Sequence, residues 1–411
     1  MKILLLTQVL PYPPDSGPKI KTFNVLKHLA ASHEVHLVSF VRSAAESENA
    51  AVLREYCREV HTVVMRRSAF RNAWFFARSL LTRKPFIILR DESSEMHALI
   101  AELVGREHFD VVHADQLNMV QYALVLGGVS KILDAHNAVW TIVHQTWRST
   151  PPGPRKWVLG LEWKKLRRYE GTAGQHCDEI LAVSEEDKQA LVSAGCPESR
   201  FTVIPIAIDT QETRAVERDP DARSIIHVGT MFWPPNIEGI LWFARRVYPL
   251  IRESMPQTQL YLVGAKPRAD VQALQDQDDS IQVTGYLDNL VPYLRQSAVF
   301  VVPLLAGSGM RVKILDAWAW GIPIVSTSVG CAGIAVHPGE DILVADTPEE
   351  FAAAVARLLQ DRELAASLAD KGRRYVETHF DWRVACRALD TVYERITKND
   401  SKRRPSDTSS Q

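Results

Sequence analysis

The chain has 411 residues, more than a single hydrophobic core usually accommodates, so we expect two domains. Its hydrophobic content of 46% and charged content of 24% are typical of a globular protein, and the net charge of -1 argues against a nucleic-acid partner. The five cysteines lack the spacing of a metal or redox site, which favours a reducing compartment. Since no apolar run approaches the roughly 20 residues of a transmembrane helix, we expect a cytoplasmic protein.

The first half of the chain alternates short β-branched runs with helical patterns, as parallel sheets covered by helices do. We predict six strands there: Ile3–Leu6, Val35–Phe40, Val60–Met65, Asp110–His113, Lys131–Leu133 and Glu179–Val183. The Pro-rich loop Val9–Lys19 contains Gly17 and precedes a predicted helix at Ile20–Ala31. This loop is equally compatible with a ligand site and with an ordinary rigid connection. His136 follows the fifth strand, at a carboxyl end where ligands bind in such folds.

The alternation restarts after a linker near Val203–Asp209. Six further strands are predicted: Ser224–Val228, Leu260–Val263, Ile281–Val283, Val299–Val302, Pro323–Ser326 and Ile342–Val344. The two sets predict an α/β protein with two Rossmann-like, doubly wound parallel-sheet domains, at residues 1–205 and 206–378. The Ser-, Lys- and Arg-rich end, residues 398–411, is predicted to be a disordered tail.

A glycine-containing turn after one of these strands carries the main chemical signal. The buried strand ends at Pro303 and a helix is predicted to open near Met310. Backbone amides of Gly309, Met310 and Arg311 are expected to be free at this helix start. Together with the positive end of the helix dipole, they suit a bound diphosphate.

Charged side chains follow this turn. Arg311 and Lys313 would add positive charge to a phosphate site, and Asp316 is a natural acceptor for sugar hydroxyls. Spacing alone also permits a plain amphipathic helix in which Lys313 and Asp316 form an exposed i,i+3 pair. From the spacing, both interpretations stay open.

The stretch Gly307–Thr327, which reads GSGMRVKILDAWAWGIPIVST, closely resembles the donor-site signature of the GT-B family called "glycosyl transferases group 1". Members of that family are retaining, metal-independent enzymes. Individually weaker matches extend over most of the chain: Gly17, His136, the Val-Ile-Pro linker, Gly229, Tyr286 and the region of Trp382. By the same resemblance, the C-terminal helix, residues 379–397, is expected to cross back to the first domain.

The resemblance implies roles for individual residues of the second domain. Asp316 matches an acidic residue that binds the donor ribose, and Gly309, Met310 and Arg311 match the turn beside the phosphates. Gly229 matches the glycine after the first strand of that domain. Tyr286, after Gly285, is a candidate for stacking on the base.

Two residues of the first domain are implied to act in catalysis. His136 matches a histidine that stabilises the transferred sugar or the leaving group. The loop that contains Gly17 is implied to lie near the diphosphate and the acceptor.

Two positions depart from the family pattern. Ser308 stands where a glutamate touches the transferred sugar, and Asn236 stands where a lysine neutralises the diphosphate. We hypothesise that Arg311 and Lys313 supply the missing charge.

The implied enzyme is a hexosyltransferase that moves a sugar from a nucleotide diphosphate sugar to a hydroxyl, with retention and without a metal or other cofactor. A role in polysaccharide or glycolipid synthesis is expected, with a glycan or lipid-linked acceptor. Two alternatives stay open, a nucleotide-sugar epimerase of the same fold and a non-catalytic nucleotide-sugar-binding scaffold. Ser308 and Asn236 are the features that favour the scaffold.

Two stretches, Arg66–Phe86 and Arg155–Arg168, interleave basic and aromatic residues. This composition suits a peripheral contact with an anionic bilayer, at the inner membrane face. The alternative is a pair of helices whose aromatic residues face the core and whose arginines face water. Two Asp-x-Asp pairs, at Asp219 and Asp276, are interpreted as solvated acidic turns instead of metal ligands.

Overall fold

The computed structural model of the protein describes the backbone of residues 1–307 and 309–403, with side chains up to residue 398. The chain forms two compact units. The first contains Met1–Ile206 and the described residues from Ala385 onward, and the second contains Ala207–Val384. No helix of this described part is both long and apolar enough to span a membrane.

A parallel seven-stranded sheet organises the first unit. Its strands are β1 (Lys2–Thr7), β2 (Glu34–Val41), β3 (Glu59–Val64), β4 (Val111–Asp115), β5 (Ser130–Ala135), β6 (Glu179–Ala182) and β7 (Phe201–Val203). They lie in the order β3-β2-β1-β4-β5-β6-β7. Ile3 to Leu6 are fully buried, because the central strand of a doubly wound sheet is covered on both faces.

Helices connect these strands. They are α1 (Gly17–Ala30), α2 (Ala50–Leu53), α3 (Ala69–Leu81), α4 (Phe86–Arg90), α5 (Ser94–Arg106), α6 (Leu117–Ala123), α7 (Val139–Ser149), α8 (Pro154–His176) and α9 (Glu185–Ser193), with 3-10 turns at Ala45–Asn49 and Glu198–Arg200. Several begin at a side-chain cap: the Ser68 hydroxyl, for example, accepts from the Arg71 amide at the start of α3.

A parallel six-stranded sheet organises the second unit. Its strands are β8 (Ser224–Val228), β9 (Leu260–Val263), β10 (Ile281–Gly285), β11 (Ser297–Val302), β12 (Ile324–Ser326) and β13 (Leu343–Val344). The order β10-β9-β8-β11-β12-β13 is that of a dinucleotide-binding sheet, with its topological switch between β8 and β11.

The remaining helices follow in chain order. They are α10 (Pro234–Trp242), α11 (Tyr248–Ser254), α12 (Ala269–Gln277), α13 (Val291–Gln296), α14 (Val312–Ala319), α15 (Pro348–Gln360), α16 (Arg362–His379), α17 (Trp382–Ala385) and α18 (Arg387–Arg403), with a π-helical turn at Phe243–Val247. Helix α18 belongs to the first unit, where Arg395 bonds Glu179 at 2.9 Å and the Tyr393 hydroxyl lies 2.9 Å from His113 Nδ1.

The predicted class, two Rossmann-like parallel-sheet domains, is confirmed, but several details differ. The sequence analysis missed β7, a three-residue edge strand. Disorder was expected from residue 398, whereas α18 continues to Arg403; residues 404–411 lie outside the described residues. Helix α1 begins three residues earlier than predicted, because Ser16 starts the helix and Pro18 suits its first turn.

The contact between α14 and α16 provides a test of packing in the second unit. A Cβ added at Gly372 would lie 2.1 Å from Cδ1 of Trp318, whose buried indole donates to the Asp341 carbonyl at 2.9 Å and cannot turn away. We therefore expect Gly372→Ala to lower the free energy of unfolding by about 1–3 kcal/mol. Calorimetric melting should show this loss. Gly105→Ala, at a helical glycine with open space around its Cβ, should instead stabilise by about 0.5–1 kcal/mol.

Candidate active site

A buried polar network lies at the carboxyl edge of the first sheet. His136 follows β5, and its Nε2 lies 2.9 Å from Oδ1 of Asp115, the last residue of β4. The Thr22 hydroxyl of α1 donates to the same carboxylate oxygen at 3.0 Å. Because His136 Nε2–H donates to Asp115, its Nδ1 is left as an acceptor. Within the described residues this buried Nδ1 has no hydrogen-bond partner.

A second arm of the network joins α1 to β5. The Lys21 ammonium bonds the Asp134 carboxylate, and both side chains are buried. Burial alone would raise the pKa of Asp134, but the Lys21 charge and the nearby His113 outweigh it and hold that pKa below its usual value. Asp134 and Asp115 are partners in the β4–β5 register, so the network continues to His136. The helix that begins at Gly17 is thereby fixed beside the predicted catalytic histidine.

Asp115, Asp134 and His136 offer three ligand atoms within 4.8 Å of one another, a spacing that a metal ion also uses. In this structure, however, Lys21 already supplies a positive charge to Asp134, and the Thr22 hydroxyl occupies an oxygen of Asp115. The group therefore resembles a salt-bridged positioning network more than a set of free metal ligands.

In the second unit, a lysine lies beside Gly229, the glycine that follows β8. Lys313 Nζ is 3.1 Å from Asn236 Oδ1 and 3.5 Å from His227 Nε2. A Cβ on Gly229 would lie 2.6 Å from the same ammonium, so a side chain at this position would displace the lysine. The lysine from α14 thus reaches Asn236 of α10.

Backbone segments approach closely at this edge of the second sheet. A Cβ on Gly264, which follows β9, would lie 1.7 Å from the Gly229 carbonyl oxygen, and one on Gly239 would lie 2.4 Å from the Pro303 carbonyl oxygen. These two glycines let the ends of three strands and the middle of α10 approach one another. The sequence analysis did not select either glycine, because each close approach involves residues distant in the chain.

The turn before α14 differs in one respect from the prediction. Gly307 and Gly309 both have positive φ, 123° and 82°, so the turn continues to Arg311, and the helix begins at Val312 instead of near Met310. A Cβ on Gly307 would lie 2.7 Å from Nη2 of Arg311, so the guanidinium folds back over the turn, and burial lowers its pKa. Met310 packs partly buried against the apolar core. Ser308 lies outside the described residues.

Lys313 and Asp316 are half-buried one turn apart on α14, which excludes the exposed pair considered above. Burial, reinforced by the charge of Arg311, lowers the pKa of Lys313 to about 7. Burial raises the pKa of Asp316 to about 7, although Lys313 opposes the rise. Two ionisable groups whose pKa values are shifted to about 7, on a helix at the carboxyl edge of a sheet, are typical of a functional site.

The other candidate positions are more exposed. Tyr286 follows β10 with 74% of its surface exposed, so its ring is available for stacking. Of the two acidic pairs, Asp219 bonds Arg295 at 3.2 Å, and Asp276 lies within α12 instead of in the expected turn. A cavity of about 870 Å³ in this unit lies near the amino ends of β8 and β9, and its lining includes Asp219 but not Tyr286, Lys313 or Asp316.

The two basic, aromatic stretches adopt different environments. On α3, Phe70 and Trp74 are 83% and 62% exposed, so the alternative in which the aromatic residues of the helix face the core is wrong for these two residues. On α8, Trp157 is exposed, whereas the ring of Trp163 contacts His144 of α7 in a tilted arrangement at a centroid distance of 4.6 Å.

Comparison with known families accounts for this combination of sheets and glycine turns. Residues 222–361 match the family "Glycosyl transferases group 1", and residues 20–212 match "Glycosyltransferase Family 4". The chain carries a group 1 domain and a family 4 domain of the glycosyltransferases. The resemblance drawn from Gly307–Thr327 is thus confirmed, and the protein is a glycosyltransferase of the GT-B type.

Relatives of known sequence are distant. An uncharacterised 44.6 kDa protein in the cps region of Klebsiella pneumoniae is 20% identical over 92% of this chain and 96% of its own length. A GDP-mannose-dependent phosphatidylinositol monomannoside mannosyltransferase of Mycobacterium tuberculosis is 26% identical over 55% of this group 1 chain and 63% of its own length.

Solved structures share the GT-B architecture at low sequence identity. The Anabaena protein HepE in complex with UDP and glucose has a TM-score of 0.65 at 15% identity and covers 98% of this chain, which covers 99% of HepE. Sucrose-phosphate synthase of Thermosynechococcus elongatus has a TM-score of 0.69 at 16% identity, with 97% and 100% covered. At such identities the likeness establishes the fold only.

Proposed function

We propose that this glycosyltransferase transfers a hexosyl group from a nucleotide diphosphate sugar to a hydroxyl acceptor, with retention and without a metal ion, in polysaccharide or glycolipid synthesis. The observation that carries the proposal is the position of Lys313, whose ammonium lies beside Gly229 and Asn236 at the carboxyl end of β8. This is the edge where ligands bind in open α/β sheets. The UDP and UDP-glucose bound by HepE, and the GDP-mannose used by the mycobacterial relative, support a donor of this class.

The donor site divides into three parts. The glycine turn and the start of α14 receive the diphosphate, with Arg311 and Lys313 as its cations. Asp316 accepts hydroxyls of the ribose, and Tyr286 stacks on the base. In such a reaction the developing charge on the leaving diphosphate needs stabilisation, which fixed amides and cations supply without a metal ion.

The first unit supplies His136 and the loop at Gly17. The unpaired, buried Nδ1 of His136 is an acceptor for a hydroxyl of the transferred sugar, and Asp115 holds the ring in the orientation that presents it. The Lys21–Asp134 pair fixes α1, so the loop before it keeps a defined position beside the histidine.

Nucleotide binding without metal provides the direct test. UDP, GDP, ADP and TDP are compared by thermal shift and calorimetry in the presence of a chelator. We expect one diphosphate to stabilise the protein selectively, by about 2.7 kcal/mol at a hundredfold excess over Kd, and Asp316→Ala to lose this stabilisation. Asp279→Ala, at an exposed acidic residue of the same unit, is the matched control.

The reaction itself is then followed with the matching nucleotide sugar. Release of the sugar with its anomeric configuration retained, seen by NMR, supports the proposal. A sugar nucleotide with an inverted ring carbon and no release would indicate an epimerase, and binding without any turnover would indicate a scaffold. Failure of every diphosphate to bind would overturn the donor site as well.

A further inference from the structure

Two adjoining cavities open at the carboxyl ends of β1, β2 and β3. Their volumes are about 540 and 460 Å³, and they share Phe40, Met65 and Arg90 as lining residues. We call them the arginine cavities, because six arginines line them: Arg42, Arg66, Arg67, Arg71, Arg78 and Arg90. They lie on the same edge of the sheet as His136, on the opposite side of β4.

The charge of the arginine cavities is only partly neutralised. The six arginines face four carboxylates, of which Asp91 bonds both Arg67 and Arg90, and Glu92 bonds Arg78. Among the described residues, Arg42, Arg66 and Arg71 form no ion pair with a carboxylate. Guanidinium groups bind phosphate through paired hydrogen bonds, so Arg66 and Arg71 in one cavity, with Arg42 in the adjoining one, suit a phosphate or diphosphate.

Helix α3 connects these cavities to an exposed apolar surface. Arg71, Phe75 and Arg78 point into the cavity from one face of the helix. At about 100° per residue, Phe70, Trp74 and Leu81 share a second face, roughly a quarter-turn away. That face is open to solvent: Phe70 is exposed by more than four-fifths and Leu81 by 88%. One helix therefore presents cations to the cavity and apolar rings to the exterior.

We infer that the acceptor is a lipid that carries a phosphate or diphosphate in its headgroup. The headgroup binds in the arginine cavities, while the Phe70–Trp74–Leu81 face of α3 rests in the interfacial layer of an anionic bilayer. The inference rests on the proposed function, since it names the acceptor class of the same reaction. Aromatic rings at headgroup depth, flanked by arginines, are the arrangement by which a helix lies on an anionic membrane.

The occupant is a lipid surface for two reasons. A soluble phosphorylated acceptor would use the cations but would leave the apolar face of α3 without a function. The flanking loop adds exposed Arg66 and Arg67 on one side, and Arg83 with Lys84 follows on the other, so positive charge surrounds the apolar face. That distribution complements anionic lipid and not an apolar protein partner.

Vesicle flotation of the full chain tests the inference. Three vesicle types are compared: phosphatidylcholine alone, phosphatidylcholine with phosphatidylglycerol, and phosphatidylcholine with phosphatidic acid. We expect binding to both anionic types, stronger for phosphatidic acid, because its phosphate monoester reaches the cavities. Phe70→Ser/Trp74→Ser should abolish flotation with both, and Arg66→Gln/Arg71→Gln should weaken binding about fivefold per charge and remove the preference for phosphatidic acid.

Matched variants at the other edge of the sheet serve as controls. Val125→Ser removes an exposed apolar side chain before β5, and Arg54→Gln/Arg58→Gln removes two exposed charges before β3. Both are expected to float like the unmodified protein. Equal losses in these controls and in the α3 or cavity variants would overturn the assigned surface.

Nucleotide binding separates this inference from the proposed function. A protein that binds its nucleoside diphosphate but no anionic vesicle would overturn the lipid acceptor while leaving the donor site intact. Calorimetry with inorganic pyrophosphate tests whether the cavities bind a soluble phosphorylated molecule instead of a lipid. If pyrophosphate binds, the Arg66→Gln/Arg71→Gln variant loses it, and vesicles do not bind, then the cavities accept a soluble phosphorylated molecule and the bilayer contact is wrong.

Discussion

Replacement of Lys313 by methionine is expected to weaken binding of the nucleotide sugar by about 10- to 100-fold near pH 7. The ammonium is half-buried, 3.1 Å from Asn236 Oδ1, and a charge-assisted hydrogen bond to a phosphate contributes about 1.5–3 kcal/mol. Methionine keeps the length of the side chain, so the packing of α14 changes little. Calorimetric titration with the nucleotide sugar gives the affinity directly.

The pH dependence identifies the group responsible. In the protein without ligand, burial and the charge of Arg311 lower the pKa of Lys313 to about 7. The lysine is therefore charged below that pH and loses its proton above it. A bound diphosphate favours the charged form, so affinity should fall as pH rises above about 7. In the proposed site the ionised form of Asp316 accepts ribose hydroxyls. Because burial raises the pKa of Asp316 to about 7, affinity should also fall as pH drops below about 7.

The unmodified protein should therefore bind most tightly near pH 7. Lys313→Met should keep only the acid limb, in which affinity falls as pH drops, and Asp316→Asn should keep only the alkaline limb. A nucleotide sugar is the better probe, because its diphosphate diester does not titrate over this range. Lys371→Met, at an exposed lysine of α16, should leave the pH profile unchanged. An alkaline limb that persists in Lys313→Met would show that Lys313 does not bind the diphosphate.

The sequence predicted the fold because each buried parallel strand reads as a short apolar run. Ile3–Leu6 and Val299–Val302 are examples, and the carboxyl-edge rule then placed His136 and the turn before α14 beside possible ligands. By contrast, β7 has three half-buried residues and borders only one neighbour, so no periodicity marks it. The start of α14 was placed too early because two glycines with positive φ lengthen the turn.

Long-range pairs could not be predicted from local pattern. Lys21 has the sequence context of an exposed helix residue, yet it pairs with Asp134, 113 positions away in the chain. Asp115 likewise looks like the polar end of a strand until β5 brings His136 beside it. Lys313 could be assigned only to a phosphate site in general, because its contact with Asn236 depends on how β8, α10 and α14 pack.

Which residues of α3 are packed and which are exposed also depends on tertiary structure. The sequence left open whether its aromatic residues face the core or a bilayer, since both arrangements share one helical period. The structure distinguishes the two faces, because Arg71 and Phe75 line the cavity beside β3. Phe70 and Trp74 are exposed on the other face, and they form the surface that we assign to a bilayer.

Replacement of His136 by alanine is expected to lower kcat about 10²- to 10³-fold while the affinity for the nucleotide sugar changes little. In the proposed reaction the imidazole accepts a hydrogen bond from a hydroxyl of the transferred sugar, where positive charge develops, so its loss should affect the transition state more than the bound donor. The proposed donor cations, Arg311 and Lys313, lie at the start of α14 in the second unit. Release of sugar to water, measured without acceptor, gives kcat, and calorimetry gives the donor affinity.

The positioning role of Asp115 is tested in the same assay. Asp115→Asn removes the charge that orients the His136 ring, 2.9 Å away, and should lower kcat about tenfold with the donor affinity unchanged. Because Asp115 is buried, melting temperatures of both variants are compared with that of Thr22→Val, which removes only the hydroxyl bonded to Asp115 at 3.0 Å. His176→Ala, at an exposed histidine of α8, should retain full activity. Full turnover in His136→Ala would contradict a catalytic role for this histidine. The buried network around it would then be purely structural.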